Sequence, residues 1–158
     1  MIETPVTRAL DAQHIPYRVF QHPGEVASLE QAAQERGQLP EQVIRSIVFR
    51  FKRGESQDEY VMALMAGATQ INWSALRKIL GVSRVTMANQ KELRAVTGYE
   101  IGAVAPFGLQ KAMRVLVDAS VFVPEEISIG SGVRGVTVIL ASADLKRALG
   151  EVEIVNLK

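Results

Sequence analysis

Apolar residues recur every three or four positions in several short segments, each preceded by a helix-capping residue and in most cases followed by glycine. This spacing places the apolar side chains on one face of a helix, and a preceding Ser, Thr or Asn is typical of a helix start. The pattern predicts helices that begin after Thr4, Ser28, Asn72 and Asn89. Ser142 is predicted to cap a last helix.

Other segments alternate between apolar and polar residues or form short apolar runs, which is typical of strands. The predicted strands cover residues 16–20, 44–51, 60–65, 84–87, 113–117, 127–129, 135–140 and 152–155. The polar stretch 53–59 joins the second of these strands to the third and predicts an antiparallel hairpin. Because helices and strands follow one another without strict alternation, we predict the α+β class.

The composition is that of a globular protein, with 47% apolar and 22% charged residues among 158. We expect a single domain over residues 1–158. The absence of cysteine excludes disulfides, a thiol nucleophile and thiolate metal sites. A net charge of +1 does not predict capture of nucleic acid by a strongly basic face, so any RNA contact must be local. Without a long apolar run, a cytoplasmic protein with no membrane partner is expected.

The stretch 98–108 is apolar, contains three glycines and one proline, and fits neither a helix nor a strand pattern. Glycine lets the main chain approach a ligand without an intervening side chain, and proline fixes φ and removes a donor. Such a loop can offer backbone N–H groups to a carbonyl oxygen. An equally good interpretation is a plain connection between a helix and a strand.

Two arginines are candidates for binding an anion. Arg45 begins an otherwise apolar strand face, so its guanidinium must meet an anion, such as a phosphate, or reach the rim and pair with a carboxylate such as Glu41. The segment 130–135 joins glycines to Ser131 and Arg134, which suits phosphate or ribose oxygens but also a simple hairpin turn.

Neither histidine points to a metal centre. His14 and His22 each lack a second histidine or carboxylate at metal-ligand spacing, so no metal site is predicted. His22 could order a loop or carry a proton, although a lone histidine in a turn is more often structural or solvated. The common phosphate-binding, dinucleotide-binding and serine-hydrolase motifs are absent.

Several short motifs follow one another in an order that resembles a known family. They are Thr4-Pro5-Val6, Phe20-Gln21-His22-Pro23, Gln42-Val43-Ile44-Arg45, Thr97-Gly98-Tyr99 with Gly102 to Pro106, and Gly130 to Gly135 with Ala141 to Leu145. In this order they are similar to the YbaK/ProX family of aminoacyl-tRNA deacylases, relatives of the editing domain inserted in bacterial prolyl-tRNA synthetase. The most specific element is Gly-x-x-x-Pro at 102–106.

The resemblance implies an enzyme that removes a wrongly attached small amino acid from tRNA, commonly from proline tRNA, with no metal or organic cofactor. It implies a mixed, partly barrel-like sheet with flanking helices. The backbone of Gly102, Ala103 and Pro106 would position the ester carbonyl, and the terminal ribose hydroxyl or a water would complete the attack. The expected partners are the aminoacyl-tRNA acceptor end and an aminoacyl-tRNA synthetase.

The resemblance also implies contacts between side chains and the substrate, at Arg45, Phe20, Val26, Leu29, Ser131, Arg134 and Thr137. Arg45 would hold the terminal phosphate, and Ser131 with Arg134 would touch the terminal adenosine. Phe20 with Val26 or Leu29 would wall the amino-acid pocket.

The chain departs from the family at three of these positions. The family usually has lysine at Arg45, many relatives have aspartate at Thr137, and some have tyrosine at Phe20. These departures leave the choice among alanine, cysteine and serine open. They also motivate an alternative function, a non-catalytic aminoacyl-tRNA or nucleotide-binding module. The oligomeric state is not predicted.

Overall fold

The computed structural model describes residues 2–158 and shows short helices packed against two sheets. The helices are α1 (Pro5–Ala12), α2 (Leu29–Arg36), α3 (Trp73–Leu80), α4 (Gln90–Thr97) and α5 (Ser142–Leu149). The strands are β1 (Arg18–Gln21), β2 (Ile44–Phe51), β3 (Glu59–Ala66), β4 (Val85–Met87), β5 (Arg114–Asp118), β6 (Glu126–Gly130), β7 (Val136–Ala141) and β8 (Glu153–Val155). Short 3₁₀ turns cover Pro40–Gln42 and Ala119–Phe122.

Helix starts follow the capping residues in four of the five predicted cases. A side-chain oxygen of the capping residue accepts a hydrogen bond from the backbone N–H three residues later at Thr4, Ser28, Asn72 and Asn89. These bonds satisfy N–H groups that have no partner within the helix. The four predicted starts are confirmed.

The predicted cap at Ser142 is wrong. Ser142 is the first residue of α5, and Ala141 occupies the capping position without a side-chain hydrogen bond. The Ser142 N–H instead donates to the carbonyl of Glu125, at 2.8 Å. That bond to an adjacent segment of the same chain satisfies the first of the N–H groups that have no partner within α5.

The larger sheet is mixed, with the order β4-β2-β3-β5-β8. β2 and β3 form the predicted antiparallel hairpin, with Ile44 opposite Ala66 and Phe51 opposite Glu59. β3 pairs in parallel with β5, and β5 in parallel with β8. The predicted α+β class is therefore confirmed.

The smaller sheet, β1-β7-β6, is antiparallel and meets the larger sheet near the start of β2. A single bridge between Val43 and Ser128 joins the two there. Within residues 2–158 the sheets do not close into a barrel. β1 begins two residues later than predicted, because the Ile15 N–H still bonds to Leu10 of α1 and pairing with β7 starts at Arg18.

The alternation of β2 separates two apolar cores. Ile44 and Val48 face the core that contains β6 and β7, whereas Phe49 and Phe51 face the core beneath α3. A strand buried on both faces is expected at the centre of a covered sheet. No helix within residues 2–158 has the length and apolar character needed to cross a bilayer.

Candidate functional site

An open cleft of about 940 Å³ lies where the two sheets meet. Its walls are the segment before α2, one side of α2, the first half of β2, the loop after α4 and the turn between β6 and β7. Apolar side chains line much of it, among them Val26, Leu29, Ile47, Met87 and Ile101. A cleft with apolar walls and a few polar groups is the usual form of a small-ligand site. Residues 2–158 contain no group of three His, Cys, Asp or Glu side chains placed to hold a metal ion.

The structure brings most of the sequence-predicted site residues to this cleft. Those on its surface are Gly102, Arg45, Val26, Leu29, Arg134 and Thr137. Those that do not line it are Ala103, Pro106, Phe20 and Ser131. The cleft therefore contains residues of four separate segments, from 26 to 137.

Gly102 presents main chain to the cleft. It is exposed, has a φ of +90°, and an added Cβ would have no atom within 4 Å. The N–H of Ala103 closes the turn onto the carbonyl of Glu100 at 3.0 Å, whereas no residue of 2–158 accepts a hydrogen bond from the Gly102 N–H. A positive φ of this kind is readily adopted only by glycine. Gly102 thus leaves an N–H free for a ligand.

The glycine loop (98–108) is held from both ends by side-chain hydrogen bonds. The Thr97 hydroxyl donates to Leu93 at 2.6 Å and accepts from the Tyr99 N–H at 3.0 Å. The buried Tyr99 hydroxyl donates to the carbonyl of Phe107 at 2.5 Å, and burial raises the pKa of this phenol. Thr97 and Tyr99 therefore act as supports that fix the loop against the fold.

The β6–β7 turn (131–135) packs directly on the glycine loop. The Gly132 N–H donates to the Ala103 carbonyl at 2.9 Å, and a Cβ on Gly130 would lie only 2.4 Å from the Val104 carbonyl oxygen. Ala103 is consequently buried in the contact between two segments. Only a glycine at 130 permits this approach of the two backbones.

Ser131 is used inside its own turn. Its hydroxyl lies 2.7 Å from the carbonyl of Val136 and accepts from the N–H of Val133 at 3.1 Å, and the residue is fully buried. This hydroxyl therefore stabilises the turn that places Arg134 at the cleft.

Pro106 and Phe20 lie near the cleft without lining it. Pro106 borders a second cavity of about 450 Å³, which it shares with Phe107 and Met113 on the other side of the glycine loop. The Phe20 ring packs edge-on against the His22 ring, with centroids 4.9 Å apart. Phe20 thus contacts a residue that lines the cleft, whereas Pro106 lies at a different cavity.

Arg45 lines the cleft and is anchored by backbone oxygens. Its Nε donates to the carbonyl of Gly67 at 2.7 Å, and a terminal nitrogen donates to the carbonyl of Thr69. The predicted alternative, an ion pair with Glu41, is not formed within residues 2–158. Burial lowers the pKa of the guanidinium, which stays charged because arginine starts so high. Three of its five N–H groups remain for a ligand.

A third guanidinium at the cleft, beside those of Arg45 and Arg134, escaped the sequence analysis. Arg36, the last residue of α2, is half-buried and donates to four neutral acceptors: Gln38 at 3.2 Å, His22 at 2.9 Å, Ser128 at 2.9 Å and Thr137 at 3.4 Å. It forms no ion pair with a carboxylate among residues 2–158. Burial lowers its pKa, partly offset by the charge of Glu35. The cleft thus contains a cation held by uncharged partners.

The partners of His22 fix its tautomer. A guanidinium can only donate, so Nε2 of His22 accepts from Arg36, and Nδ1 carries the proton and donates to Glu35 at 2.6 Å. That bond, together with one from Gln31, lowers the pKa of the Glu35 carboxyl. His22 therefore serves as a neutral link that orients Arg36.

The spacing of residues in α2 partly indicates that Arg36 lies at the cleft. Leu29, Ala32 and Arg36 stand at i, i+3 and i+7, so they share one face of α2, and all three line the cleft. The contacts with Ser128 and Thr137 come from strands about 90 to 100 residues later and have no local signature.

The family model for an aminoacyl-tRNA editing domain matches residues 23–148, which include Arg36, Arg45, Gly102 and Arg134. The chain belongs to this aminoacyl-tRNA editing domain family. The family prediction made from the sequence is confirmed, and with it the prediction of an enzyme of the aminoacyl-tRNA deacylase class.

Two curated relatives of the editing domain show how far the similarity extends. The chain is 28% identical over 150 residues to the multifunctional Ser/Thr-tRNA deacylase ProXp-y of Escherichia coli K12, covering 94% of this chain and 88% of that protein. It is 31% identical over 96 residues to a proline–tRNA ligase of Kosmotoga olearia, covering 61% of this chain but only 16% of the ligase.

The fold of the editing domain is shared with a crystal structure of a proposed trans-editing enzyme for prolyl-tRNA synthetase. The TM-score is 0.82 at 22% identity, over 100% of this chain and 99% of the other. This likeness confirms the mixed sheet with flanking helices.

Proposed function

We propose that this editing domain acts in trans and hydrolyses the ester of a small amino acid wrongly attached to tRNA, with proline tRNA as the tRNA. The observation that carries the proposal is the free Gly102 N–H on an open turn facing the cleft, in a chain of the editing family. The similarity to a tRNA deacylase over most of both chains and to a proline–tRNA ligase over part of one supports the substrate class.

In the proposed reaction the ester carbonyl oxygen accepts a hydrogen bond from the Gly102 N–H. A water, positioned by the free hydroxyl of the terminal ribose, attacks the carbonyl carbon. The bond from that carbon to the ribose oxygen breaks and a water proton passes to this oxygen, so a free amino acid and an intact terminal ribose are released. Negative charge grows on the carbonyl oxygen during the attack, and one fixed donor at that oxygen lowers the barrier by about 3 kcal/mol. Ala103 contributes by holding the turn, since its N–H donates to Glu100 and its carbonyl accepts from Gly132. Pro106, in the same loop, contributes by fixing φ.

The acceptor end of the tRNA fits the mouth of the cleft in the same proposal. Arg45 and the exposed Arg134 supply charge for phosphates. Met87 and Ile101 line the cleft with 56% and 59% of their surface exposed, and offer apolar area to the terminal base. Such an arrangement binds the end of a strand without reading its sequence.

A synthetase partner is part of the proposal. The net charge of +1 provides little general attraction to RNA. We therefore propose that a prolyl-tRNA synthetase that holds the same tRNA supplies affinity and selects proline tRNA. The cytoplasmic location stays a prediction.

The decisive experiment measures hydrolysis of proline tRNA charged with alanine, cysteine or serine. The proposal expects faster release of at least one amino acid than in buffer. A non-catalytic binding module would instead protect the ester, so binding with slower release would overturn the proposal in favour of that alternative.

Replacement of Arg45 by alanine should raise KM for the charged tRNA. A charge-assisted hydrogen bond to phosphate contributes about 1.5–3 kcal/mol, so we expect kcat/KM to fall ~10- to 100-fold. Arg53→Ala is the matched control, because Arg53 also donates to a backbone carbonyl, that of Leu80 at 2.9 Å, but lies outside the cleft. Equal kinetics for Arg45→Ala and wild type would remove Arg45 from the phosphate role.

A further inference from the structure

The guanidinium of Arg36 has one N–H group left for a ligand. Arginine carries five N–H donors. Its Nε donates to Gln38. One terminal nitrogen donates to His22 and Thr137, and the other donates to Ser128. The remaining donor is on the nitrogen that binds Ser128, at the surface of the cleft.

One free donor suits a single oxygen atom rather than a phosphate group. Phosphate recognition by arginine commonly uses two parallel N–H bonds. Arg36 cannot supply two without giving up a partner, whereas Arg45 and the exposed Arg134 have more freedom and line the same cleft. A hydroxyl oxygen needs only one donor and carries no charge.

The hydroxyl of Thr137 can complete the recognition of a ligand hydroxyl. Thr137 Oγ1 lies 3.4 Å from both an Arg36 nitrogen and His22 Nε2, and both distances are long for a hydroxyl. The shorter bond from Arg36, at 2.9 Å, already satisfies His22 Nε2. Thr137 is thus free to turn its O–H toward a ligand, and a ligand hydroxyl can accept from one neighbour and donate to the other.

The other residues on the cleft-facing side of α2 are apolar, and they indicate which part of a ligand would lie next to Arg36. Leu29 and Ala32 lie on the same helix face as Arg36 and line the cleft with it. A ligand with a small aliphatic group against Leu29 and Ala32 would direct an oxygen on that group toward Arg36. Serine and threonine have this pattern in their side chains, whereas alanine lacks the oxygen.

We propose that Arg36, supported by His22 and Thr137, is the specificity residue by which the cleft selects β-hydroxy amino acids over alanine. This inference rests on the proposed deacylase function and names the side-chain class that the reaction accepts. Without a substrate hydroxyl the last Arg36 donor is desolvated and unpaired, which penalises alanine.

The test compares kcat/KM for proline tRNA charged with serine, threonine or alanine. Wild type should prefer serine over alanine by ~10-fold or more, the usual value of a hydrogen bond to a charged group. Arg36→Met keeps the length of the side chain without its donors and should reduce the serine-to-alanine ratio at least ~10-fold. Arg114→Met, which removes a guanidinium paired with Glu153 outside the cleft, should leave the ratio unchanged.

A second variant keeps the inference testable if Arg36→Met does not fold. Thr137→Val preserves side-chain shape and should lower the same ratio several-fold, with circular dichroism as the check of the fold. Equal losses on all three substrates, or a wild type that hydrolyses alanine as fast as serine, would overturn the inference alone. No hydrolysis of any charged tRNA would overturn the proposed function and this inference together.

Discussion

Gly102→Leu should abolish most of the deacylase activity and leave the fold in place. The proposed oxyanion donor is the Gly102 N–H, whose orientation depends on a φ of +90° that a leucine does not readily adopt. The new side chain would also project into the cleft. Loss of one such donor costs about 2.7–4 kcal/mol in the transition state, so kcat should fall at least ~100-fold. Single-turnover hydrolysis of the preferred charged tRNA measures the effect.

Gly54→Leu is the control for backbone strain. Gly54 also has a positive φ, +62°, and free space around its Cβ position, but it lies in the β2–β3 hairpin loop away from the cleft. Both variants pay the strain of a side chain at positive φ, about 1–2 kcal/mol. If Gly102→Leu loses no more activity than Gly54→Leu, the carbonyl site is not at Gly102.

Gly130→Ala should destabilise the protein by about 2–3 kcal/mol, at the upper end of the cost of overpacking. The added methyl would lie 2.4 Å from the Val104 carbonyl oxygen and 2.9 Å from that of Ala103. Because these are backbone atoms, relief requires the glycine loop and the β6–β7 turn to separate. The melting temperature should fall by roughly 4–12 °C for a chain of this size. Activity should fall as well, since the same loop carries Gly102.

Gly24→Ala separates this steric effect from the general effect of adding a methyl group. An added Cβ at Gly24 has no atom within 4 Å, and neither Gly24 nor Gly130 has a left-handed backbone. Thermal unfolding of the two variants side by side measures the difference. A Gly130→Ala protein as stable as Gly24→Ala would mean that the two loops are not in tight contact.

Local sequence signals predicted the local parts of the fold. The caps at Thr4 and Asn72 and the β2–β3 hairpin depend on residues a few positions apart, so their chemistry is readable along the chain. Ser142 shows the limit, because it is the first helical residue and not the cap, and its own N–H bonds to the carbonyl of Glu125 in another segment. The parallel pairing of β3 with β5 likewise has no local signature.

The sequence predicted several of the segments that form the cleft, but not how these segments pack against one another. Glycine and proline spacing singled out the loop of Gly102 and the turn of Arg134, both of which reach the cleft. Their mutual packing depends on tertiary geometry, and so does the place of Pro106 on the far side of the loop. Arg36 was missed because its partners become neighbours only when the smaller sheet forms.

The pairing of β1 with β7 has a consequence for synthesis of the chain. Arg18 stands opposite Ile139, so β1 cannot pair during synthesis until β7 has also been made. The β2–β3 hairpin can form early because its contacts are close in sequence, whereas contacts between distant residues form slowly. The partners of Arg36 include both His22 and Thr137, so a nascent chain lacks the complete cleft until it has been made past Thr137. A copy whose synthesis stops before Thr137 would therefore carry Arg36 without the strand that helps to orient its guanidinium.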